Sequence, residues 1–182
     1  METSELLVRI VETAAEELEK EDEALREAVE SNLLMGGPDR SGILRFNNEH
    51  YYKFVVARGL LRSMPYRVEA ERGYHDLVLT VPQRDERVAV IEMKRWMSKE
   101  GREELSGIRK DIEGKLAMAN AAHRLMIIFS ANPVGGTERS IKWLRNELAV
   151  DRSLWHYRGF RTQNCDGADV EFWVAGYSVL QQ

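Results

Sequence analysis

The chain has one cysteine, Cys165, among 182 residues, so it cannot form an internal disulfide. Its four histidines and that cysteine lack the spacing of a zinc finger, which argues against a structural zinc site. Long apolar runs are also missing, and charged side chains interrupt the apolar ones near the N-terminus, unlike a signal peptide. We therefore expect a cytoplasmic protein with no membrane partner.

An excess of basic residues is lacking as well, since the formal net charge is −4. That average hides an uneven distribution. Residues 1–40 hold 4 Lys/Arg against 12 Asp/Glu, whereas residues 41–182 hold 22 against 18. The body of the chain is therefore mildly basic, which leaves a nucleic-acid partner open despite the acidic total.

Apolar residues recur at helical spacing from Thr3 to about Asn32, and acidic residues occupy the opposite face. A turn-rich stretch with three glycines and a proline follows. The pattern predicts an N-terminal acidic amphipathic helix with its linker over residues 1–42, and a second unit over residues 43–182. The apolar stripe indicates a packing or dimerisation arm, so a homodimer through this helix is one expectation.

The remaining chain alternates between helical and extended patterns, and it contains no internal repeat. The predicted order is helix, three strands, helix, strand, followed by a shorter helix and two further strands. The first three strands are expected to be adjacent and antiparallel, because short turns separate them. The order predicts an α/β protein with a mixed sheet flanked by helices. The predicted segments are 43–63, 66–70, 75–81, 87–93, 98–122, 125–129, 137–149, 154–160 and 170–177.

Two carboxylates stand within otherwise apolar predicted strands, where an unpaired charge would be costly. Asp76 begins the second strand and Glu92 lies near the end of the third. Because the start of one strand neighbours the end of the next in an antiparallel hairpin, these two acids are expected to meet. Lys94 shares the face of Glu92, since side chains alternate along a strand. Glu49, on the helix before the sheet, supplies a further carboxylate if its face points inward.

These residues resemble the PD-(D/E)XK nuclease superfamily, whose restriction-endonuclease-like core runs helix, three strands, helix, strand. The resemblance covers roughly residues 43–130. It rests on Glu49 in the first helix, on Asp76 at the second strand and on the run from Glu92 to Lys94 in the third. His75 stands where the eponymous motif has proline.

The resemblance implies a role for each matched residue. Asp76 and Glu92 would bind Mg²⁺, with Mn²⁺ as a substitute, and the backbone carbonyl of Met93 would be an additional ligand. Lys94 would orient or activate the attacking water, and Glu49 would support the metal site. The implied function is phosphodiester hydrolysis, with DNA as the expected substrate and RNA left open.

An acid, any residue, then lysine occurs a second time, at Glu113 to Lys115. That copy lies within a helical pattern, where Lys115 is expected to pair with Asp111 at i,i+4 on an exposed surface, outside the catalytic set. His75 is interpreted as a hydrogen-bonded structural residue, and Trp96 as a packing residue rather than a base-stacking one.

Two other hypotheses on the function remain open. The first is a PD-(D/E)XK scaffold without turnover that binds nucleic acid or a protein. The second is an interaction protein of unrelated α/β fold, in which Glu49, Asp76, Glu92 and Lys94 never converge. For Asp76 and Glu92 the plain alternative is a pair of solvated strand ends.

Overall fold

Strands of alternating and continuous apolar residues form one six-stranded sheet in a computed structural model of the chain. The structure describes residues 1–31, 33, 42–46, 48–97, 102–149 and 154–179. Helices lie against both faces of the sheet, and parallel and antiparallel pairings both occur. The predicted α/β class with a mixed sheet flanked by helices is confirmed.

The helices follow the predicted order closely. They are α1 (Thr3–Glu30), α2 (Glu49–Ser63), α3 (Arg102–Lys110) and α4 (Thr137–Leu148), with a 3₁₀ turn at Ile43–Phe46. The chain continues from α3 into a π-helical segment, Asp111–Leu116. The strands are β1 (Arg67–Ala70), β2 (Leu77–Thr80), β3 (Arg87–Arg95), β4 (His123–Pro133), β5 (Trp155–Gln163) and β6 (Asp169–Ser178).

The sheet has the strand order β1-β2-β3-β4-β6-β5. The first three strands form an antiparallel meander, as predicted, and Leu77 of β2 lies opposite Ile91 of β3. Strand β4 returns parallel to β3 after α3 and the π-helical segment, while β6 and β5 add antiparallel strands. The end of β3 therefore lies beside the interior strand β4.

Side-chain alternation along β3 divides the core into two layers. Ile91 and Met93 pack on the side of α1 and α2, whereas Val90 packs on the side of α3 and α4. Five consecutive residues of β4, Leu125–Phe129, are fully buried, as expected for a strand covered on both sides. Glu92 and Lys94 therefore point toward α3 and the π-helical segment.

The apolar stripe of helix α1 packs against other elements of the same chain. Leu7, Ile10, Val11 and Leu18 belong to the same buried cluster as the residues of α2 and the sheet. The carboxylate of Asp22 is also buried, and it accepts hydrogen bonds from outside the helix. The helix and the body share one core rather than meeting through a linker alone. Homodimerisation through this stripe stays a prediction, but its apolar surface is already covered.

Several boundaries differ from the predictions, and three of these differences have a clear structural cause. The helix expected from Ile43 begins at Glu49, because a separate 3₁₀ turn occupies Ile43–Phe46. Strand β4 extends through Pro133 instead of ending at Phe129, because β6 pairs with it to that residue. The helix expected to about Ala122 widens into π geometry at Asp111. No helix in the described part of the chain is long and apolar enough to span a membrane.

Candidate functional site

The candidate site lies where β3 extends beyond its neighbour. Strand β2 pairs with β3 only as far as Leu77 and Ile91, whereas β3 continues to Arg95. Within the described residues, the backbone groups of β3 past Ile91 therefore have no strand partner on that edge, and buried backbone donors require a hydrogen-bond acceptor. Side-chain carboxylates take the place of the missing strand.

Two of the predicted acids accept these backbone hydrogen bonds. The Met93 N–H donates to Oδ2 of Asp76 over 2.7 Å, and the Arg95 N–H donates to Oε2 of Glu49 over 3.0 Å. The N–H and C=O of one residue in a strand point to the same edge, so the Met93 carbonyl lies on the Asp76 side of β3. Both carboxylates are thus anchored against the same backbone stretch.

Lys53 links these two acids. Its Nζ atom donates to Oδ1 of Asp76 over 2.7 Å and lies 2.9 Å from Oε1 of Glu49. The two carboxylate oxygens therefore converge on one cationic centre. One helical turn separates Glu49 from Lys53, a spacing at which side chains can pair, whereas the contact with Asp76 comes from the packing of α2 against the sheet.

Glu92 lies on the other side of β3, where it is fully buried. Its Oε1 atom lies 2.8 Å from Nδ1 of His75, and its Oε2 atom accepts from Nζ of Lys115 over 2.9 Å. Burial of a carboxylate requires such partners, because an isolated charge loses its hydration. The interpretation of Glu92 as a solvated strand end is wrong, and the prediction that His75 is hydrogen-bonded is confirmed.

Lys94 is held by the π-helical segment. Its Nζ atom lies 2.9 Å from Oδ2 of Asp111, and the other oxygen of that carboxylate lies 3.3 Å from Nζ of Lys115. Asp111 is only 6% exposed. The predicted pairing of Lys115 with Asp111 is confirmed, but the pair is not merely a surface one, because each member also contacts a residue of β3. π-Helical turns occur mostly as single insertions, often at functional sites.

The pKa values of Glu49 and Glu92 shift in opposite directions. Burial raises the pKa of Glu92, and the nearby charge of Asp76 adds to the rise, against opposing hydrogen bonds from Lys115 and His75. Burial also disfavours the charged form of Glu49, but hydrogen bonds from Lys53 and the Arg95 N–H outweigh it and lower that pKa. Environments that separate the pKa values of neighbouring acids are typical of sites that divide acid and base roles.

Two clefts open beside this cluster. One, of about 510 Å³, is lined by Glu49, Lys94 and Arg95 together with residues of α3. The other, of about 430 Å³, is lined by His75, Asp111 and Lys115 among others. The ion pair between Lys94 and Asp111 lies between the clefts, since each cleft contains one member. Solvent therefore reaches the cluster from both sides.

The structure brings the four predicted site residues to the end of β3, with three further residues that the sequence interpretation left outside the catalytic set. Lys53, Asp111 and Lys115 each contact a predicted residue. The one sequence signal for these residues was a spacing of one helical turn between an acid and a lysine. Ordinary surface pairs on helices have the same spacing. Trp96 stacks on Trp143 with ring centroids 5.5 Å apart and is 8% exposed, so its interpretation as a packing residue is confirmed.

The donor chemistry of the cluster suits a hard divalent cation, because carboxylate and carbonyl oxygens are the ligands that Mg²⁺ prefers. Within the described residues, no group of three or more Asp, Glu, His or Cys side chains is arranged to hold a metal ion. Asp76 and Glu92 with the Met93 carbonyl would make a smaller set of two side chains and one backbone group. The contact of Lys53 with both Glu49 and Asp76 places a positive centre between those two acids.

Comparisons with protein-family models, with curated proteins and with solved structures found no match to this chain.

Proposed function

We propose that the chain is a metal-dependent nuclease of the PD-(D/E)XK type, most simply a DNA endonuclease. The observation that carries the proposal is the placement of Glu49, Asp76, Glu92 and Lys94 at the end of β3 that extends past β2. Three acids and a lysine from separate elements are costly to bring together, and phosphodiester hydrolysis needs such a set.

The order of elements gives independent support. Helix α2, the meander β1–β3, helix α3 and the parallel strand β4 follow one another in the order of a restriction-endonuclease-like core. We assign that core to residues 49–133, with α1, α4, β5 and β6 as additions around it. Fold alone does not establish chemistry, so the proposal depends on the site residues.

Asp76, Glu92 and the Met93 carbonyl would hold Mg²⁺, and Mn²⁺ would serve in its place. The ion would supply charge stabilisation at the phosphate and would acidify a bound water. Lys53 would have to release Asp76 for this to happen, because its ammonium contacts Oδ1 of that residue. Lys115 would likewise have to release Glu92, because its ammonium donates to Oε2 of that residue.

The remaining residues would act on the water and on the phosphate. Lys94 would orient the attacking water through Nζ, and Asp111 would hold that ammonium in place. Arg95, which also lines the first cleft, would contact the nucleic-acid backbone.

The test is cleavage of plasmid, linear and single-stranded DNA and of RNA with Mg²⁺ or Mn²⁺, and with EDTA as the metal-free control. The native chain is compared with Asp76→Asn and with Lys94→Ala. We expect metal-dependent cleavage that falls at least about 100-fold in each variant, as for loss of a group acting directly in proton transfer or metal binding. Asp76→Asn keeps an acceptor for the Met93 N–H but removes the charge.

Two exposed residues away from the site provide matched controls, Asp166→Asn in the β5–β6 turn and Lys142→Ala on α4. Their cleavage rates should equal the native rate. Calorimetric titration with Mn²⁺ gives a readout that does not depend on turnover, and Asp76→Asn should weaken the binding. Cleavage that survives EDTA, or that is equal in native and Asp76→Asn protein, would contradict the proposal.

A second candidate is the same scaffold without turnover, serving as a nucleic-acid-binding module. The observation that favours it is that lysines already neutralise the acids, with Lys53 against Asp76 and Lys115 against Glu92. Native protein that binds nucleic acid in Mg²⁺ or Mn²⁺ and cuts none of the four substrates would support this candidate over the nuclease.

A further inference from the structure

The second cleft has an apolar mouth that the chemistry at β3 does not use. Tyr74 and Met118 line it, together with Lys110 and with the site residues His75, Asp111 and Lys115. Tyr74 is 91% exposed and Met118 is 80% exposed. Two large apolar side chains at one opening leave a surface that favours a flat apolar ligand.

Tyr74 is held in this position by an unusual backbone. Its φ angle is +77°, in a region that aromatic residues rarely adopt. Such conformations carry a conformational cost and cluster at binding sites. Next to it, Gly73 also has a positive φ, and a Cβ added there would meet no atom within 4 Å. The turn before β2 therefore presents the tyrosine ring to solvent.

The floor of the cleft is open, and the charged side chains that line it are Lys110, Asp111 and Lys115. A Cβ added at Gly114, in the π-helical segment, would meet no atom within 4 Å, so the space above that turn is free. Lys115 directly follows Gly114, and Lys110 precedes it by four residues at the end of α3; both lysines line the same cleft. An aromatic face beside ammonium groups matches a nucleobase with its phosphate.

The cleft is continuous with the proposed catalytic cluster. His75 and Lys115 line the cleft and also contact the carboxylate of Glu92. A ligand seated in the cleft would therefore lie beside the two residues that hold that carboxylate. The volume of about 430 Å³ is in the range of small-ligand pockets, which suits one base.

We propose that this cleft binds an unpaired nucleobase, stacked on Tyr74 and flanked by Met118, so that the substrate is a single strand or a locally unpaired one. The inference rests on the proposed function, because it names the substrate class of the same site. Bases in an intact duplex are stacked on each other and present no free face to a side chain, whereas every base in a single strand does.

The test is fluorescence anisotropy of labelled oligo-dT, oligo-U and duplex DNA of equal length in EDTA, where cleavage is suppressed. Native chain is compared with Tyr74→Ala and with Gly114→Leu, which places a side chain in the open space. Tyr157→Ala, a tyrosine on the far strand β5, is the matched control. We expect tighter binding of the single strands than of the duplex, and about 10-fold weaker single-strand binding in Tyr74→Ala and Gly114→Leu.

A strand of abasic sugar-phosphates of the same length identifies the stacking contribution. Tyr74→Ala should weaken binding of oligo-dT and leave binding of the abasic strand unchanged. Equal loss on both strands, equal binding by native and Tyr74→Ala protein, or no single-strand binding at all would overturn the proposal. A free mononucleotide that binds as tightly as oligo-dT would overturn the assignment to a strand.

The binding result is separable from the nuclease result. If Mg²⁺-dependent cleavage is present but Tyr74→Ala binds oligo-dT like the native chain, the pocket proposal fails and the nuclease proposal stands. If Tyr74→Ala weakens the binding of oligo-dT but Asp76→Asn leaves cleavage unchanged, the nuclease proposal fails and the pocket proposal stands. Circular dichroism spectra that match the native one show that each variant is folded, as expected because Tyr74 and Gly114 meet little of the protein.

Discussion

At the residue scale, Glu92 is a carboxylate with no exposed surface, so its charge has lost its hydration. His75 and Lys115 offset part of the lost hydration, yet burial still raises its pKa. Buried charges that reduce stability are retained where they perform chemistry, so this residue favours a functional role over a structural one.

The pH dependence of the free energy of unfolding tests this effect of burial. A raised carboxyl pKa contributes stability that is fully present below the ordinary value of 4.5 and is lost as the pH rises through the folded-state pKa. Glutamine carries no charge at any pH. Relative to the native chain, Glu92→Gln should therefore become more stable as the pH is raised from about 4 to about 7.

Urea denaturation across that pH range measures the difference. Glu138→Gln, at an exposed position on α4, corrects for the general loss of one negative charge. If Glu92→Gln instead becomes less stable relative to the native chain as the pH rises, Lys115 and His75 outweigh burial. In that case the ion pairs at β3 stabilise the charged form.

At the scale of elements, two glycines occupy opposite environments. Gly107 lies within α3, and a Cβ there would meet no atom within 4 Å. Gly176 on β6 lies under α1, where a Cβ would come within 2.7 Å of Val11 Cγ2 and 2.8 Å of Ile127 Cδ1. The same substitution should therefore have opposite effects on stability at the two positions.

Gly107→Ala should stabilise the protein by about 0.5–1 kcal/mol, since alanine loses less backbone entropy in a helix. Gly176→Ala should destabilise it by about 1–3 kcal/mol, because an added methyl overfills a packed core. Chemical denaturation of both variants measures the two free energies of unfolding. Destabilisation by Gly107→Ala would mean that the space beside Gly107 on α3 is occupied. An unchanged free energy of unfolding in Gly176→Ala would mean that α1 packs loosely on β6.

The whole molecule is tied together at Asp22. Its Oδ1 atom accepts from the Ile43 N–H over 2.8 Å and from the Thr162 hydroxyl over 2.6 Å, while Oδ2 accepts from Arg26 over 2.9 Å. One buried carboxylate thus joins α1 to the 3₁₀ turn before α2 and to β5. These segments are far apart in sequence, so the contact closes the fold.

Asp22→Ala should reduce the free energy of unfolding by at least about 2 kcal/mol, because it leaves buried donors of Ile43 and Thr162 without an acceptor. Glu23→Ala, at the exposed neighbouring position, should change it by less than about 0.5 kcal/mol. Thermal and urea denaturation measure both. Equal effects would show that α1 is an appendage, which would agree with the division at residue 42.

Local patterns were sufficient for the elements and for the hairpin geometry. Apolar periodicity predicted α1, α2, α4 and every strand, because each element buries one face and its sequence repeats accordingly. The antiparallel order of β1–β3 followed from their short connections, and that order brought Asp76 and the end of β3 together. The π-helical widening at Asp111 has no such signature, so it escaped prediction.

The sequence by itself determined which side chains could meet at β3, since strand alternation and hairpin register are local properties. Only the tertiary structure decided what surrounds them. Lys53 reaches Asp76, Lys115 reaches Glu92, and Asp111 reaches Lys94 because α2 and the π-helical segment pack on opposite faces of one sheet. Those contacts join residues 17 to 23 positions apart, beyond the range in which helical or strand periodicity relates one side chain to another.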